Sequence, residues 1–300
     1  MNNIPITKEE LQPFMERSDL KAFAITMWTW ISIALIFSLG IFFPSWPVYI
    51  LMVVLLGGRF MALAALMHEA GHNTFFKTKK YNEVMTNWLT GPFILMDGKT
   101  YSKWHHEHHR HAGTKQDPDI ENYVNFPISK LSFTRKIARD LLGITGLKMA
   151  LFLLLTGKDQ LTREKRARFT LTKSFIYYAV IFMLFWAFDQ THLFVLMVIS
   201  YFTVYLFVAR FRQMAEHAGV KDLFDMEPKY NTRSVHQGFW GALLFAPTKG
   251  LSYHCEHHAF RAVPTYNLKP LHELLVSKGY YDDINVPNGY FGIVPEIIKS

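Results

Sequence analysis

Two long apolar runs near the amino end of the chain predict a pair of membrane-crossing helices. Residues 22–43 contain no charged side chain, and a helix of 22 residues at about 1.5 Å per residue crosses roughly 30 Å of hydrocarbon. A PSWP break at residues 44–47 carries an aromatic ring suited to the membrane interface. Residues 48–67 then predict a return crossing, interrupted by the single charge of Arg59. Helix packing and pairing explain that charge better than a catalytic role.

A second pair of crossings is predicted in the later half of the chain. Residues 174–188 and 193–209 are apolar runs on either side of a short DQTH turn at residues 189–192. The remainder, residues 210–300, is polar and punctuated by Gly and Pro. We therefore expect this last segment to lie outside the membrane.

The stretch between the two pairs, residues 68–173, contains no uninterrupted apolar run that is long enough to cross a bilayer. Its apolar pieces, residues 88–96 and 141–155, are short or broken by Gly and Lys, and they predict helices that lie in the membrane interface. Residues 8–20 predict a short interfacial helix, and a solvated leader explains them equally well.

The distribution of basic residues supports this topology. With four crossings, the two turns lie on one face of the membrane and contain no Lys or Arg, so every basic residue except Arg59 lies on the other face. The positive-inside rule assigns that other face to the cytoplasm. The sequence therefore predicts an all-α integral membrane protein. Its 300 residues form a single domain of four transmembrane helices, with a cytoplasmic helical cap made of residues 68–173 and 210–300.

Composition further limits the kinds of binding partner and metal site that the protein can have. Half of the residues are hydrophobic and the formal charge is +8, but the basic residues flank apolar blocks. An anionic membrane surface is therefore a better partner than nucleic acid. The single cysteine, Cys255, excludes an intramolecular disulfide and a four-cysteine metal site. The amino-terminal residues resemble neither a signal peptide nor a transit peptide.

The chemistry of the chain is concentrated in four histidine-rich segments, all on the predicted cytoplasmic side. They read MHEAGH at 67–72, WHHEHHRH at 104–111, EH at 216–217 and YHCEHH at 253–258. Residues four apart share a helix face, so each of the two HxxHH patterns is predicted to bring three imidazoles together from one helical turn. The candidate metal ligands are His68, His72, His105, His108, His109, His217, His254, His257 and His258.

Imidazole suits Fe, Cu, Ni and Zn alike, so the ligand type alone does not name the metal. One four-coordinate zinc cannot use nine histidines, whereas two five- or six-coordinate irons can. A rival interpretation is that HEAGH is a zinc peptidase motif with Glu69 as general base. That interpretation leaves both HxxHH patterns without a role. A non-enzymatic membrane metal carrier would place polar ligands inside the crossings, and hydropathy indicates none there.

These segments resemble the membrane fatty acid desaturase superfamily. The resemblance lies in HEAGH at 68–72, YSKWHHEHHRHAGTKQDPD at 101–119 and SYHCEHHAFRAVPTYNL at 252–268. RQMAEHAG at 212–219 resembles the single-histidine motif of bacterial desaturases and, more loosely, of membrane alkane hydroxylases. RKIARDLLGITGLK at 135–148, NTR at 231–233 and the NGY near residue 290 are similar to bacterial acyl-lipid desaturases in particular.

The resemblance implies a fold, a cofactor and a reaction. It implies four transmembrane helices, a di-iron centre held by the nine histidines, and O₂ as co-substrate. It also implies desaturation of a lipid-linked acyl chain in a bacterial inner membrane, with the site on the cytoplasmic side. The alternative reaction is hydroxylation or ketolation of an alkane, a carotenoid or a sphingolipid-like chain. Electrons are expected from a separate ferredoxin, cytochrome or reductase.

Several polar residues adjoin the candidate ligands and are predicted to accept a ring N–H from them, which would set their orientation. The candidates are Glu69, Glu107, Glu216, Glu256, Asp117 and Asp119, together with Gln213, whose amide could face a metal through water. His106 and His111 lie outside the HxxHH frame and are interpreted as supporting or structural. No role is predicted for His192, His236 or His272.

Overall fold

The computed structural model describes residues 4–156, 165–248 and 250–299. Within these residues the chain is helical, and its only β-type pairings are isolated bridges between Ile128 and Ile298 and between His236 and Asn288. The predicted all-α fold is confirmed for this part of the chain. The longer helices are α1 (Asp19–Phe42), α2 (Trp46–Gly71), α3 (Lys79–Val84), α4 (Gly98–His111), α5 (Lys130–Leu141), α6 (Ile144–Thr156), α7 (Lys165–Ala187), α8 (Thr191–His217), α9 (His254–Ala259) and α10 (Leu268–Ser277).

Short helical turns connect these helices. The α-helical turns are Lys8–Leu11, Pro228–Asn231, Gly238–Trp240 and Val294–Ile297, and the π-helical turns are Met85–Thr90 and Gly241–Phe245. The 3-10 turns are Gln12–Met15, Gly91–Ile94, Ile120–Asn122, Thr265–Asn267 and Tyr290–Ile293. A further π-helical turn, Tyr201–Tyr205, lies inside α8.

Three helices of the described chain are long and apolar enough to cross a membrane. They are α1, α2 and α8, and they coincide with the first, second and fourth predicted crossings. The third predicted crossing corresponds to the apolar part of α7, Leu171–Ala187, which is shorter. Both α2 and α8 extend beyond the predicted ends of their apolar runs, so each carries histidines on its polar last turn.

Helix α2 is the central element of the fold. In its most apolar stretch 67% of the residues are buried inside the protein, against 22% in α1 and 33% in α8. Close packing depends on its glycines, because a Cβ atom at Gly58 would lie 2.4 Å from the carbonyl oxygen of Leu243. Arg59 donates to that same carbonyl oxygen (2.9 Å) and to the Ser32 hydroxyl (3.2 Å). Arg59 therefore packs α2 against its neighbours, as its place in an apolar run indicated.

The predicted interfacial segments differ in regularity. Residues 88–96 do not form one helix, because the π-helical turn Met85–Thr90 passes into a 3-10 turn that contains Pro92. Proline lacks an N–H and cannot continue a regular helix. Residues 141–155 correspond largely to α6, in which Leu147 and Leu151 are exposed. Residues 8–15 form two short turns rather than a single helix, and residues 19 and 20 already belong to α1.

Local sequence signals determine where the helices that carry histidines begin and end. The Asp97 side chain accepts a hydrogen bond from the backbone N–H of Thr100 (2.8 Å) and so caps the start of α4. Helix α8 stops before Gly219, which adopts a φ of +60°. A Cβ atom at Gly219 would lie 2.3 Å from the carbonyl oxygen of Glu296. Glycine is therefore needed where the chain leaves α8.

Replacing Gly58 by alanine tests the packing of α2. We expect Gly58→Ala to lower the free energy of unfolding by about 1–3 kcal/mol, because the added methyl group would press on a backbone carbonyl that cannot move freely. Gly71→Ala, in the same helix, is the matched control, since its nearest neighbours lie 3.5 Å away. Thermal unfolding of both variants in detergent, followed by tryptophan fluorescence, measures the difference. Equal midpoints would contradict this account.

Candidate metal centre

The nine predicted histidines come together as two adjoining groups. The first group contains His68, His72, His105, His109 and His257, and the second contains His108, His217, His254 and His258. Within each group the candidate ligand atoms lie within 4.8 Å of one another. The rings of His109 in the first group and His258 in the second have centroids 4.1 Å apart. The structure therefore offers two neighbouring sites, each able to hold one metal ion.

The two HxxHH patterns are divided between these groups in a reciprocal way. Helix α4 gives the i and i+4 histidines of its pattern to the first group and the i+3 histidine to the second. Helix α9 gives its i and i+4 histidines to the second group and its i+3 histidine to the first. The expectation that each pattern converges on one point is therefore wrong. At 3.6 residues per turn, the adjacent i+3 and i+4 side chains diverge by about 100°.

The separations between ring nitrogens fit metal coordination. The Nε2 atoms of His68 and His257 are 2.8 Å apart, and that of His109 lies 2.9 Å from His105 and 3.1 Å from His257. Metal–nitrogen bonds of about 2.1 Å would place neighbouring ligands of an octahedral ion about 3.0 Å apart. Five donors also exceed the four of a tetrahedral zinc site.

The second group shows the same spacing, since the Nε2 atoms of His217 and His254 are 2.9 Å apart. The Nε2 atoms of His72 and His258 are buried and have no hydrogen-bond partner among the described residues. Buried polar atoms normally have partners. A metal ion in each group would satisfy these nitrogens, so the residues present fit a two-metal centre.

Burial favours the neutral form of most of these imidazoles. Burial first, and the charges of neighbouring groups second, lower the pKa of His72 to about 3. Burial first, and neighbouring imidazoles second, hold the pKa of five more rings well below the usual range: His105, His109, His254, His257 and His258. Only a neutral imidazole has a lone pair to give to a metal. The site is therefore ready to bind cations near neutral pH.

Asp117 holds one histidine of the second group in place. Its Oδ1 accepts a hydrogen bond from Nδ1 of His108 (2.8 Å), and its other oxygen accepts one from the Tyr123 hydroxyl. Burial would raise the pKa of Asp117, but the hydrogen bonds from His108 and Tyr123 outweigh it and lower that pKa. Asp119 lies further away, with Oδ2 3.8 Å from Nδ1 of His108 and Oδ1 bonded to Trp104. Asp117 thus has the contact that the sequence predicted.

Glu69 and Glu216 also lie beside candidate ligands. Oε1 of Glu69 is 3.7 Å from Nδ1 of His257, while its Oε2 accepts the backbone N–H of Thr265 (3.2 Å). Oε1 of Glu216 is 3.6 Å from Nδ1 of His254. These separations are longer than hydrogen bonds, so neither carboxylate accepts the ring N–H that the sequence predicted.

Glu216 is itself paired. Its Oε1 lies 2.7 Å from Nη2 of Arg212, one helical turn earlier, and both side chains are buried. A buried carboxylate without a partner would be costly. Arg212 therefore gives the buried Glu216 carboxylate a partner, a contact that the sequence analysis missed.

Glu107 does not contact the centre. Its carboxylate pairs with Arg110 (3.1 Å) and lies 3.6 Å from Nε2 of His111, on the exposed side of α4. It follows the first histidine of HxxHH by two positions, which is roughly 200° around the helix. The interpretation of Glu107 as a partner of a ligand is therefore corrected, and His111 is confirmed outside both groups.

Glu256 occupies the same position in the other pattern and also faces away from the centre. It is fully buried, and its carboxylate accepts hydrogen bonds from Ser234 (2.5 Å), from Nδ1 of His272 (2.5 Å) and from the Tyr281 hydroxyl. Glu256 therefore binds residues on the far side of α9 and does not contact a candidate ligand ring. His272, for which no role was predicted, is one of its three donors, and the His236 ring lies beside it with centroids 5.6 Å apart.

Two further histidines have local partners. Nδ1 of His106 lies 2.6 Å from the carbonyl oxygen of Ser102, which agrees with a structural role. Nε2 of His192 lies 3.0 Å from the Tyr49 hydroxyl, at the start of α8 and far along that helix from His217. His192 belongs to neither histidine group.

Two tyrosines of the centre were also missed by the sequence analysis. The Tyr101 hydroxyl lies 3.1 Å from Nδ1 of His68. Its position, four residues before His105, places it on the ligand face of α4 and could have indicated this contact. The Tyr123 ring stacks on His217, with centroids 4.9 Å apart and planes 18° apart. No spacing in the sequence points to that second contact.

A cavity of about 730 Å³ runs along the centre. Histidines of both groups line it, including His68, His108 and His217. Gln213 and Glu216 also line this cavity. Its apolar lining includes Met61, Ala64, Met67, Leu95, Met96 and Leu206. An apolar ligand in the cavity would therefore lie beside the histidines.

Comparison with known protein families identifies one match. The family model described as fatty acid desaturase matches residues 44–286, which include all nine histidines. No curated protein matches the chain.

Asp117 and Asp119 provide a matched pair of variants for the second metal group. We expect Asp117→Asn to lower metal affinity about 10–100-fold, because it weakens the hydrogen bond that orients His108. Asp119→Asn should have a much smaller effect, since its carboxylate lies 3.8 Å from that ring. Competition of purified protein with a metal chelator measures both affinities. Equal affinities in the two variants would contradict the assignment.

The histidine groups can be tested directly by metal content. We expect His257→Ala to lower the metal bound per chain, because it removes a donor that touches two others of its group. His192→Ala should retain the wild-type content, since His192 lies in neither group. Elemental analysis of purified protein checks both. A His257→Ala protein with full metal content would count against this centre.

Proposed function

The chain belongs to the fatty acid desaturase family, and we propose that it uses two iron ions and O₂ to insert a double bond into a lipid-linked acyl chain. One observation carries this proposal: histidines of both adjoining groups line a cavity that also has a large apolar lining. That apolar lining suits a saturated chain, which has no polar group to bind. It would supply the binding energy, and the metal sites would lie beside the chain.

The proposed iron ligands are the nine histidines, five for one ion and four for the other. Bound iron would supply the oxidising chemistry, with O₂ as co-substrate and two electrons from outside. The protein's own residues supply the rest of the site. Asp117 orients His108, and Tyr101 contacts His68. The Glu216–Arg212 pair lies beside His254.

The cavity accounts for the choice of substrate. Its volume of about 730 Å³ lies in the range of pockets that enclose most of a ligand of drug size. Met61, Met67 and Leu206 bind methylene groups by removing them from water. Water would be excluded from the reacting part of the chain, which prevents side reactions.

We propose a membrane arrangement with four crossings and a single domain over residues 1–300. The cap of residues 68–173 and 210–300, and with it the metal centre, would face the cytoplasm of a bacterial inner membrane. The turns at residues 44–47 and 189–192 contain no Lys or Arg, which supports this orientation. The third crossing would use Leu171–Ala187, shorter than the others.

A separate redox protein would deliver the electrons, either a ferredoxin, a cytochrome or a reductase. One buried cysteine, Cys255, cannot build an iron–sulfur cluster. The net charge of +8 would favour an acidic partner on the cytoplasmic face and the anionic membrane surface, rather than nucleic acid.

Hydroxylation or ketolation of an alkane, a carotenoid or a sphingolipid-like chain is the second candidate reaction, because the same cavity would bind those chains. A zinc peptidase is disfavoured by the geometry of Glu69. Its carboxylate is 1% exposed and bonded to the backbone of Thr265 rather than open to a water molecule. A simple metal carrier would have no need for the apolar cavity.

Lipid profiling in a heterologous bacterial host tests the proposal. Expression of the wild-type chain should convert saturated acyl chains to monounsaturated ones, detected by gas chromatography–mass spectrometry. We expect His108→Ala to abolish the product, because it removes a ligand of the second group. His192→Ala should keep it. Identical profiles for wild type and His108→Ala would refute the proposed function, and oxygenated products alone would favour the hydroxylase.

A further inference from the structure

The loop that ends at Leu95 has a strained backbone. Leu95 adopts φ 56° and ψ 32°, the left-handed region that branched residues rarely occupy. Non-glycine residues stay in this region only when the surrounding structure holds them there, and such residues cluster at functional sites. The left-handed conformation of Leu95 therefore needs a structural cause, and the sequence does not supply one.

Three hydrogen bonds hold the loop in this conformation. The hydroxyl of Tyr178 donates to the carbonyl oxygen of Phe93 (2.7 Å), and that of Tyr201 donates to the carbonyl oxygen of Ile94 (2.7 Å). The backbone N–H of Met96 then closes the loop onto Gly91 (2.9 Å). Helices α7 and α8 thus fix the two peptide groups that precede Leu95. The backbone position from which its side chain projects is therefore fixed.

The side chain of Leu95 lies between two cavities. It lines the cavity of about 730 Å³ that faces the histidines and also a second cavity of about 270 Å³. The second cavity lies between α7 and α8 and is almost entirely apolar, with Phe175, Val198 and Phe202 in its wall. We call it the side cavity. Leu171 is the other residue that lines both cavities.

We propose that Leu95 limits the length of acyl chain that the protein accepts, by closing the reaction cavity against the side cavity. This inference rests on the proposed function, since it assumes that the larger cavity binds the chain. With leucine at position 95, the methyl end of the chain stops at its side chain. Without that side chain, the two cavities would join, and a longer chain would extend into the apolar side cavity.

Once the Leu95 side chain is removed, the burial of apolar surface favours the binding of a longer chain. Each additional methylene taken from water into an apolar site tightens binding by about fourfold. The side cavity offers apolar surface continuous with the first, so the extra methylenes of a longer chain would gain this factor. In the wild type they would instead collide with a residue that two tyrosines hold in place.

Leu95→Ala and Leu95→Gly test the proposal. Both remove the barrier, and glycine also adopts the left-handed conformation without strain, so it remains informative if the alanine variant does not fold. Leu206→Ala is the matched truncation, because Leu206 lines the reaction cavity but not the side cavity. Leu95→Ala combined with Val198→Phe refills the side cavity.

Two measurements separate this inference from the proposed function. The first is the chain-length distribution of unsaturated products in host lipids. The second is native mass spectrometry of the purified protein mixed, without an electron donor, with saturated acyl lipids of graded length, which reports binding without turnover. We expect both Leu95 variants to shift preference toward longer chains, by about fourfold per methylene in the binding measurement. The Leu206→Ala and the double variant should keep the wild-type preference.

Unchanged length preference in both Leu95 variants would overturn the inference, as would an equal shift in Leu206→Ala. If wild type forms no unsaturated product but the Leu95 variants bind longer chains in the binding measurement, the proposed reaction fails and the role of Leu95 stands. If products form and their lengths do not change, the role of Leu95 fails and the proposed reaction stands.

Discussion

The structure depends on the packing of nine imidazole rings in two adjoining groups, six of them buried and three partly buried. Removing so many polar rings from water is costly unless each nitrogen finds a partner. Hydrogen bonds satisfy Nδ1 of His68 and Nδ1 of His108, but Nε2 of His72 has no partner among the described residues. Two metal ions would lower this cost. Metal binding would therefore be coupled to folding, as in other proteins whose ligands converge only on folding.

Helical geometry divides the ligands between the two groups. The HxxHH pattern places two side chains on one face of a helix and a third about 100° away, so α4 and α9 each serve both groups in opposite senses. The middle glutamate of each pattern lies on the helix face that points away from the histidine groups. In α9 the helix face opposite the histidines is buried, and Glu256 accepts three hydrogen bonds there. In α4 it is exposed, and Glu107 pairs with Arg110. One sequence pattern thus has two different surroundings.

The central helix α2 joins the apolar part of the protein to this centre. Its glycines allow close packing against α8 and the Leu243 carbonyl, and its last turn carries His68 and ends at His72. The same helix contributes Met61 and Met67 to the cavity wall. Small shifts of α2 would therefore move both the ligands and the apolar surface that faces them. This is why packing glycines and metal ligands belong to one helix.

Hydropathy alone predicted the all-helical class, the positions of α1, α2 and α8 and the packing role of Arg59. The spacing of the histidine motifs, with the family resemblance that they carry, singled out the nine histidines. These features follow from local patterns and side-chain chemistry. Asp117 was also predictable from its place beside a histidine motif. Only the tertiary structure decided which histidines share a group, that Glu256 faces His272, that Tyr123 stacks on His217, and that Leu95 separates two cavities. Those contacts join segments that are remote in the chain or differ in burial, and no local spacing encodes which distant segment lies against which face of a helix.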